Sequence, residues 1–293
     1  MKFTPAKVPE GINYSQSNPI KEFLLLGSGV LAVILLIVFL LGSLLDWSSK
    51  FIPFSYESAM AEPFVQEYVD EYGKGSAEVS QYLQGLADEI APLMSLNEDI
   101  QLTLHYVDNE TINGMATLGG HIFIFRGLLE KLPSENALVA LLAHEIAHVK
   151  LRHPVKALSK GVSIALLMAV VSGQSNTDVT GLLSNTSQLA FLGFSRSQEQ
   201  AADDEAIAVS QRYYQHLQGA HELFAILLAE SEQATLDTIS WFRSHPEVSA
   251  RINNVAELAN NNGWQQHGQS TPIPNHIIEQ LAQDKAAFQL KKH

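Results

Sequence analysis

The chain has 293 residues, no cysteine, and 31 acidic against 18 basic side chains, for a formal net charge of −13. That balance excludes nucleic acid as a partner, since phosphate binding needs a basic surface, and it argues against adhesion to anionic lipid. The lack of cysteine rules out a lipoprotein anchor and a closed, cysteine-rich structural zinc site; it fits an oxidising compartment without establishing one.

Residues 1–22 form a tail carrying Lys2, Lys7 and Lys21. From Phe23 to Leu45 no charge interrupts the apolar run, which exceeds the roughly 20 residues needed to cross a bilayer. A cleaved signal peptide would have an apolar core of about 7 to 15 residues and a small-x-small site soon after it, and this run has neither. Beyond the span, Lys50 is the only basic residue before Lys74, among Asp46, Glu57 and Glu62. The excess of lysine on the N-terminal flank predicts a cytoplasmic tail, a bilayer anchor at 23–45 and an extracytoplasmic remainder, on the periplasmic side of the inner membrane in a bacterium.

Residues 46–74 read as a linker with a short helix around Phe64–Tyr72, and 75–263 as one domain with a sizeable core. Ser76–Pro92 has the helical spacing of Val79, Leu83, Leu86 and Ile90. Ile100–Val107 and His121–Phe125 are rich in β-branched and aromatic residues and bounded by Asn, Asp and Gly, which predicts two strands. Met115–Leu118 lies between them as a possible sheet edge, to which an extended polypeptide could add by main-chain hydrogen bonds. His105 and His121 are read as strand residues, not ligands.

Ser134 is placed to cap a helix through Leu138, Leu141, Leu142, Ile146 and Val149. Inside that apolar run stand His144, Glu145 and His148, an H-E-x-x-H pattern. Residues four apart on a helix point the same way, so both imidazoles can hold one ion while Glu145 reaches a water beside it. Two buried imidazoles are costly without partners, and one metal ion satisfies both. A catalytic zinc wants a third protein ligand and an open position. His153 is nearest, but it precedes Pro154, where the helix should stop, and it is set aside as a helix C-terminal residue.

Ser195–Asp203 offers Glu199 and Asp203 on one helix face at i, i+4. Followed by Asp204 and Glu205, the run alone reads as a solvated acidic helix. Beside H-E-x-x-H it becomes the ligand helix, with Glu199 on the metal and Asp203 orienting an imidazole. Val162–Val171 is apolar but too short to span alone, and is expected to pack on the domain or dip into the membrane surface. His216–Glu230 predicts a core helix through Leu223, Phe224, Ile226 and Leu227. Pro246 opens another through Val248, Ile252, Val255 and Leu258, stopped at Asn260–Gly263. Residues 264–293 read as a linker and a last helix, Asn275 to about Leu290.

Four segments together resemble metallopeptidase family forty-eight, the group of zinc peptidases that includes HtpX, the CaaX prenyl endopeptidase and the mitochondrial inner-membrane stress protease. They are Asn113–Ile122, His144–His148, Ser195–Asp203 and Ser244–Ile252. The resemblance implies an α+β, mainly helical, gluzincin-type zincin domain with a small sheet, here of a single-anchor kind. It implies one zinc ion on His144, His148 and Glu199, Glu145 as general base, and Asp203 behind the ligands. It places His245 and Arg251 near the site as oxyanion stabilisers, and Asn113, Met115 and Ala116 on the substrate strand. Gly114 and Leu118 depart from the alanine and proline more common in the family.

The chemistry so implied is hydrolysis of peptide bonds in polypeptide substrates of the cell envelope. A catalytically silent, chaperone-like binder on the same fold is the alternative, and the presence of a base beside the ligand set counts against it.

Overall fold

A computed structural model describes residues 18–49, 51–72, 75–172, 193–233, 245 and 248–291. The fold is mainly helical, with one three-stranded sheet. Helix α1 (Pro19–Ser49) is the one helix among the described residues long and apolar enough to cross a membrane, over Pro19–Leu44. Its 26 residues reach about 39 Å at 1.5 Å each, more than the roughly 30 Å of a hydrocarbon core.

Helix α2 (Phe54–Tyr72) begins ten residues earlier than the sequence suggests and carries Pro63 inside it. Packing outweighs the proline: Ala61, Phe64, Val65 and Tyr68 are buried in one cluster with Phe123 and Phe125. Helix α3 (Ala77–Ile90) is capped by Ser76, whose side chain accepts from Val79 N, and it buries the apolar face read from its periodicity. A 3-10 turn, Ala91–Met94, follows it.

Strands β1 (Thr103–Val107), β2 (Gly114–Ala116) and β3 (His121–Phe125) form a sheet with β3 in the centre, parallel to β1 and antiparallel to β2. Because successive side chains alternate, Leu104, Tyr106, Ile122 and Ile124 enter the main core while Val107, Met115, Phe123 and Phe125 meet α2. The β2–β3 connection fits tightly under α2. Gly119 has φ +68°, and a Cβ there would lie 2.6 Å from Ser58 Cα.

After the short α4 (Arg126–Leu129) comes α5 (Glu135–Lys150), capped by Ser134, which accepts from Ala137 N. Every residue from Asn136 to Val149 is buried. A helix apolar on all sides belongs in the centre of a domain, and here α3, the sheet, α7 (Arg196–Tyr214) and α8 (Gln218–Gln233) surround it. Helix α6 (His153–Ser172) runs beside α1. Helix α9 (Val248–Asn262) ends at Gly263 in the left-handed conformation.

Helix α10 (Asn275–Lys291) is docked, not free: Ile273, Ile277 and Leu281 join the main core, and Lys285 pairs with Glu130 at 2.8 Å. The segment before it, expected as a linker, ties down the start of α5, where Glu135 N donates to Thr271 O at 2.8 Å.

Candidate metal centre

Helices α5 and α7 pack along one another, and their contact places His144, Glu145 and His148 opposite Glu199 and Asp203. His144, His148, Glu199 and His245 each offer one ligand atom, and these atoms all lie within 4.8 Å of one another. All four residues are buried, with at most 2% exposure.

The closest approaches are 3.0 Å between the two Nε2 atoms of His144 and His148, and 3.3 Å from His144 Nε2 to His245 Nδ1. Glu199 stands 3.6 Å from His144 Nε2, 3.5 Å from His148 Nε2 and 3.0 Å from His245 Nδ1. Two donors each about 2.0–2.1 Å from a tetrahedral ion stand roughly 3.3–3.4 Å apart, so the observed edges bracket that size. A ring of nitrogens facing one another cannot be satisfied by protons alone without leaving some pair repelled. Nitrogen and oxygen donors without sulfur suit zinc.

The surroundings fix these donors. Asp203 Oδ1 lies 3.0 Å from His144 Nδ1, the far side of that ring. Arg251 grips Asp203 through Nε and Nη2 at 2.7 and 2.6 Å, approaches Glu199 at 3.4 Å and lies over the Phe224 ring. His148 turns its other nitrogen, Nδ1, to His153 Nδ1 at 2.9 Å and stacks on Phe194, centroids 4.0 Å apart.

Burial, with His144, His245 and His153 beside it, holds His148 well below the ordinary imidazole range, which favours the neutral, ligating form. Burial pushes the Glu199 carboxyl up, but His245, His144 and Arg251 outweigh it and keep it below the usual carboxylate range. Asp203 follows the same pattern, with Arg251 and His144 outweighing burial. For His245, burial lowers the affinity for a proton, while Glu199 and Glu145 raise it further, so the net shift is upward. The carboxylates thus draw positive charge to the centre of the cluster, a demand that a divalent cation meets.

Glu145 lies beside the cluster with no exposure. Its Oε2 accepts from Ala116 N at 2.8 Å, and its Oε1 has no hydrogen-bond partner among the described residues. β2 is an edge strand, and this N–H on its outer side points at α5. Asn113 O accepts from Phe125 N at 3.1 Å, while Met115 and Ala116 pair with Phe123 and Ile122.

The structure brings together all the side chains singled out from the sequence around H-E-x-x-H, but places two of them, His245 and His153, differently. His245 sits among the potential ligands instead of beside them. Arg251 is buried against Asp203. His153 opens α6 instead of closing α5, because α5 ends at Lys150 and Arg152 turns the chain with φ +57°. Phe194 gave no motif; its one signal is an aromatic residue directly before Ser195, which caps α7 by accepting from Gln198 N. Pro246 lies outside the described residues, as does most of Ser244–Glu247.

A conserved-family model described as Peptidase family M48 matches residues 77–259, well over half of the chain. The chain therefore belongs to peptidase family M48. It is 26% identical over 208 residues to the mitochondrial metalloendopeptidase OMA1 of Schizosaccharomyces pombe, covering 69% of this chain and 60% of that protein. It is 27% identical over 195 residues to the beta-barrel assembly-enhancing protease of Yersinia pestis, covering 62% and 39%. With the Escherichia coli protein of the same name it shares 29% over 147 residues, 46% of this chain and 29% of the other. The match thus spans less than two thirds of each of these relatives.

Proposed function

We propose that the chain is a membrane-anchored zinc metalloendopeptidase that hydrolyses peptide bonds in extended polypeptides. The observation that carries this reading is the convergence of His144, His148 and Glu199 from two helices, with Glu145 poised beside them. These three residues hold the ion, Asp203 fixes the tautomer of His144, and Arg251 holds Asp203 ionised. Zinc bound there supplies Lewis-acid polarisation of the scissile carbonyl and a water of lowered pKa. Glu145 Oε1, which has no hydrogen bond among the described residues and stands 3.8 Å from His245 Nε2, takes the proton from the attacking water and delivers it to the leaving amine.

The substrate adds to the outer edge of β2, and the N–H of Ala116, which Glu145 now holds, becomes available to its backbone. Main-chain recognition of this kind selects unfolded or extended segments over particular sequences, which supports a role in envelope protein quality control. The lysine-bearing flank before α1 supports a cytoplasmic tail and an extracytoplasmic domain.

The Nδ1 of His245 stands with the ligand atoms of His144, His148 and Glu199, where it would be a fourth donor to a bound ion. A catalytic site keeps that position open, so turnover requires His245 to withdraw, where it is placed to stabilise the oxyanion instead. The full chain in detergent, loaded with zinc, is expected to cleave an unfolded protein, whereas Glu145→Gln is expected to bind zinc and not cleave. Zinc-loaded wild type that binds the polypeptide without cutting it would favour a chaperone-like binder.

A further inference from the structure

Outside α1, the large apolar side chains exposed by half or more among the described residues are Phe51, Tyr56, Met60, Ile278 and Leu290. Three of those five lie within the first dozen residues after α1, and Trp47, near the end of α1, is 57% exposed and meets the Phe51 ring edge-on with centroids 4.8 Å apart. Their position is not incidental to α2. Phe54, Glu57, Ala61 and Phe64 turn inward, Glu57 to pair with Arg152. The opposite face presents Tyr56, Ala59, Met60 and Pro63 in succession, all exposed and uncharged.

We infer that this face of α2, continuous with Trp47 and Phe51, lies in the headgroup–acyl boundary of the bilayer that α1 crosses. This rests on the reading that α1 spans the membrane. Trp and Tyr belong at that level because their rings are apolar with one polar group each, and a helix with one apolar face lies in the plane of the interface. The chain offers no basic cluster here: Lys50, Glu57 and Glu62 are the charged residues between Trp47 and Phe64. Adhesion therefore depends on apolar burial and not on lipid charge.

The contact has a consequence for the centre. Helix α2 covers the β2–β3 connection, with Ser58 against Gly119 and Phe54 against Gly120, and Glu57 ties it to the turn after α5. Docking α2 on the membrane holds the end of the β2 edge at a fixed height, so that the segments reaching it are those emerging next to the bilayer.

Because the chain has no cysteine, one introduced cysteine is the sole attachment point for a nitroxide. The full chain in phosphatidylcholine nanodiscs would carry it in turn at Met60→Cys, at Ala32→Cys within α1 and at the exposed Glu98→Cys. Power saturation with oxygen and a water-soluble nickel chelate then gives depth. The Met60→Cys label is expected roughly 5 to 10 Å below the phosphates, the Ala32→Cys label deeper and the Glu98→Cys label in water. Adding Phe51→Ser and Tyr56→Ser is expected to return the Met60→Cys label to water, and anionic lipid is expected to leave its depth unchanged. A deep Ala32→Cys label with a Met60→Cys label in water would overturn the inference and leave the span intact. An Ala32→Cys label in water would overturn the span itself. Shielding of the Met60→Cys label from both relaxants with spin–spin broadening would assign the face to a second copy and overturn it too.

Discussion

The backbone N–H of Ala116 donates to Glu145 Oε2 across 2.8 Å, joining the edge of the sheet to the helix that carries His144 and His148. One carboxylate oxygen is committed to the strand where a substrate would add, and the other faces the cluster. On the proposed reading, binding of an extended chain and freeing of the base are coupled through this hydrogen bond. Glu145→Gln is expected to leave zinc content unchanged and to lower kcat by roughly 10²- to 10⁴-fold, the span of a general-base contribution. Zinc per chain and kcat on an unfolded protein, measured on the same preparation, check it.

Asp203 serves two partners, His144 at 3.0 Å and Arg251 at 2.6 Å. Asp203→Ala is expected to weaken zinc binding by about 10- to 100-fold, as loss of a carboxylate behind a ligating imidazole does. It also takes from the buried Arg251 its closest partner, leaving Glu199 at 3.4 Å as its remaining carboxylate, so the apoprotein is expected to lose stability. Chelator competition reads the first effect and denaturant unfolding of the apoprotein the second.

His245→Ala removes the fourth donor while leaving His144, His148 and Glu199. Zinc affinity is expected to fall modestly, and turnover per bound zinc to rise if withdrawal of His245 limits the rate. A loss of turnover larger than the loss of zinc would instead assign His245 chiefly to the oxyanion.

The buried histidines set an acid limit on the apoprotein. Burial and the nearby Lys156 lower His153 to about 4, from an ordinary value of 6.5. Between those values the unfolded chain takes up a proton that the folded chain refuses, so stability falls as pH drops from 6.5 towards 4 and is unaffected above 6.5. His148, lowered in the same direction, adds to the slope. His153→Asn is expected to flatten the apoprotein's stability profile in that window, measured by denaturant midpoints at a series of pH values.

Local sequence carried much of this. H-E-x-x-H, the Ser134 cap, the two longer strands and the apolar span are each written in a few neighbouring residues, and the i, i+4 spacing of Glu199 and Asp203 located the second helix. What stayed hidden depends on distance in the chain. His245 reaches the cluster from 101 positions beyond His144, and nothing nearby tells a fourth ligand from a helper. Arg251 was placed near the site only by family likeness, because helical spacing cannot show that it packs on Phe224 and grips Asp203. His153 was misread because the turn at Arg152 uses a left-handed backbone that no glycine announces. α2 ran through Pro63 because contacts with Phe123, remote in sequence, hold it.

The most direct measurement is zinc K-edge absorption on the purified full chain, combined with metal analysis of wild type and Glu199→Ala. One zinc per chain in a four-coordinate shell of nitrogen and oxygen, with at least two imidazoles, and its loss in Glu199→Ala, is the expected result. A chain that binds no zinc, or binds it as tightly without Glu199, would show that α5 and α7 do not share an ion.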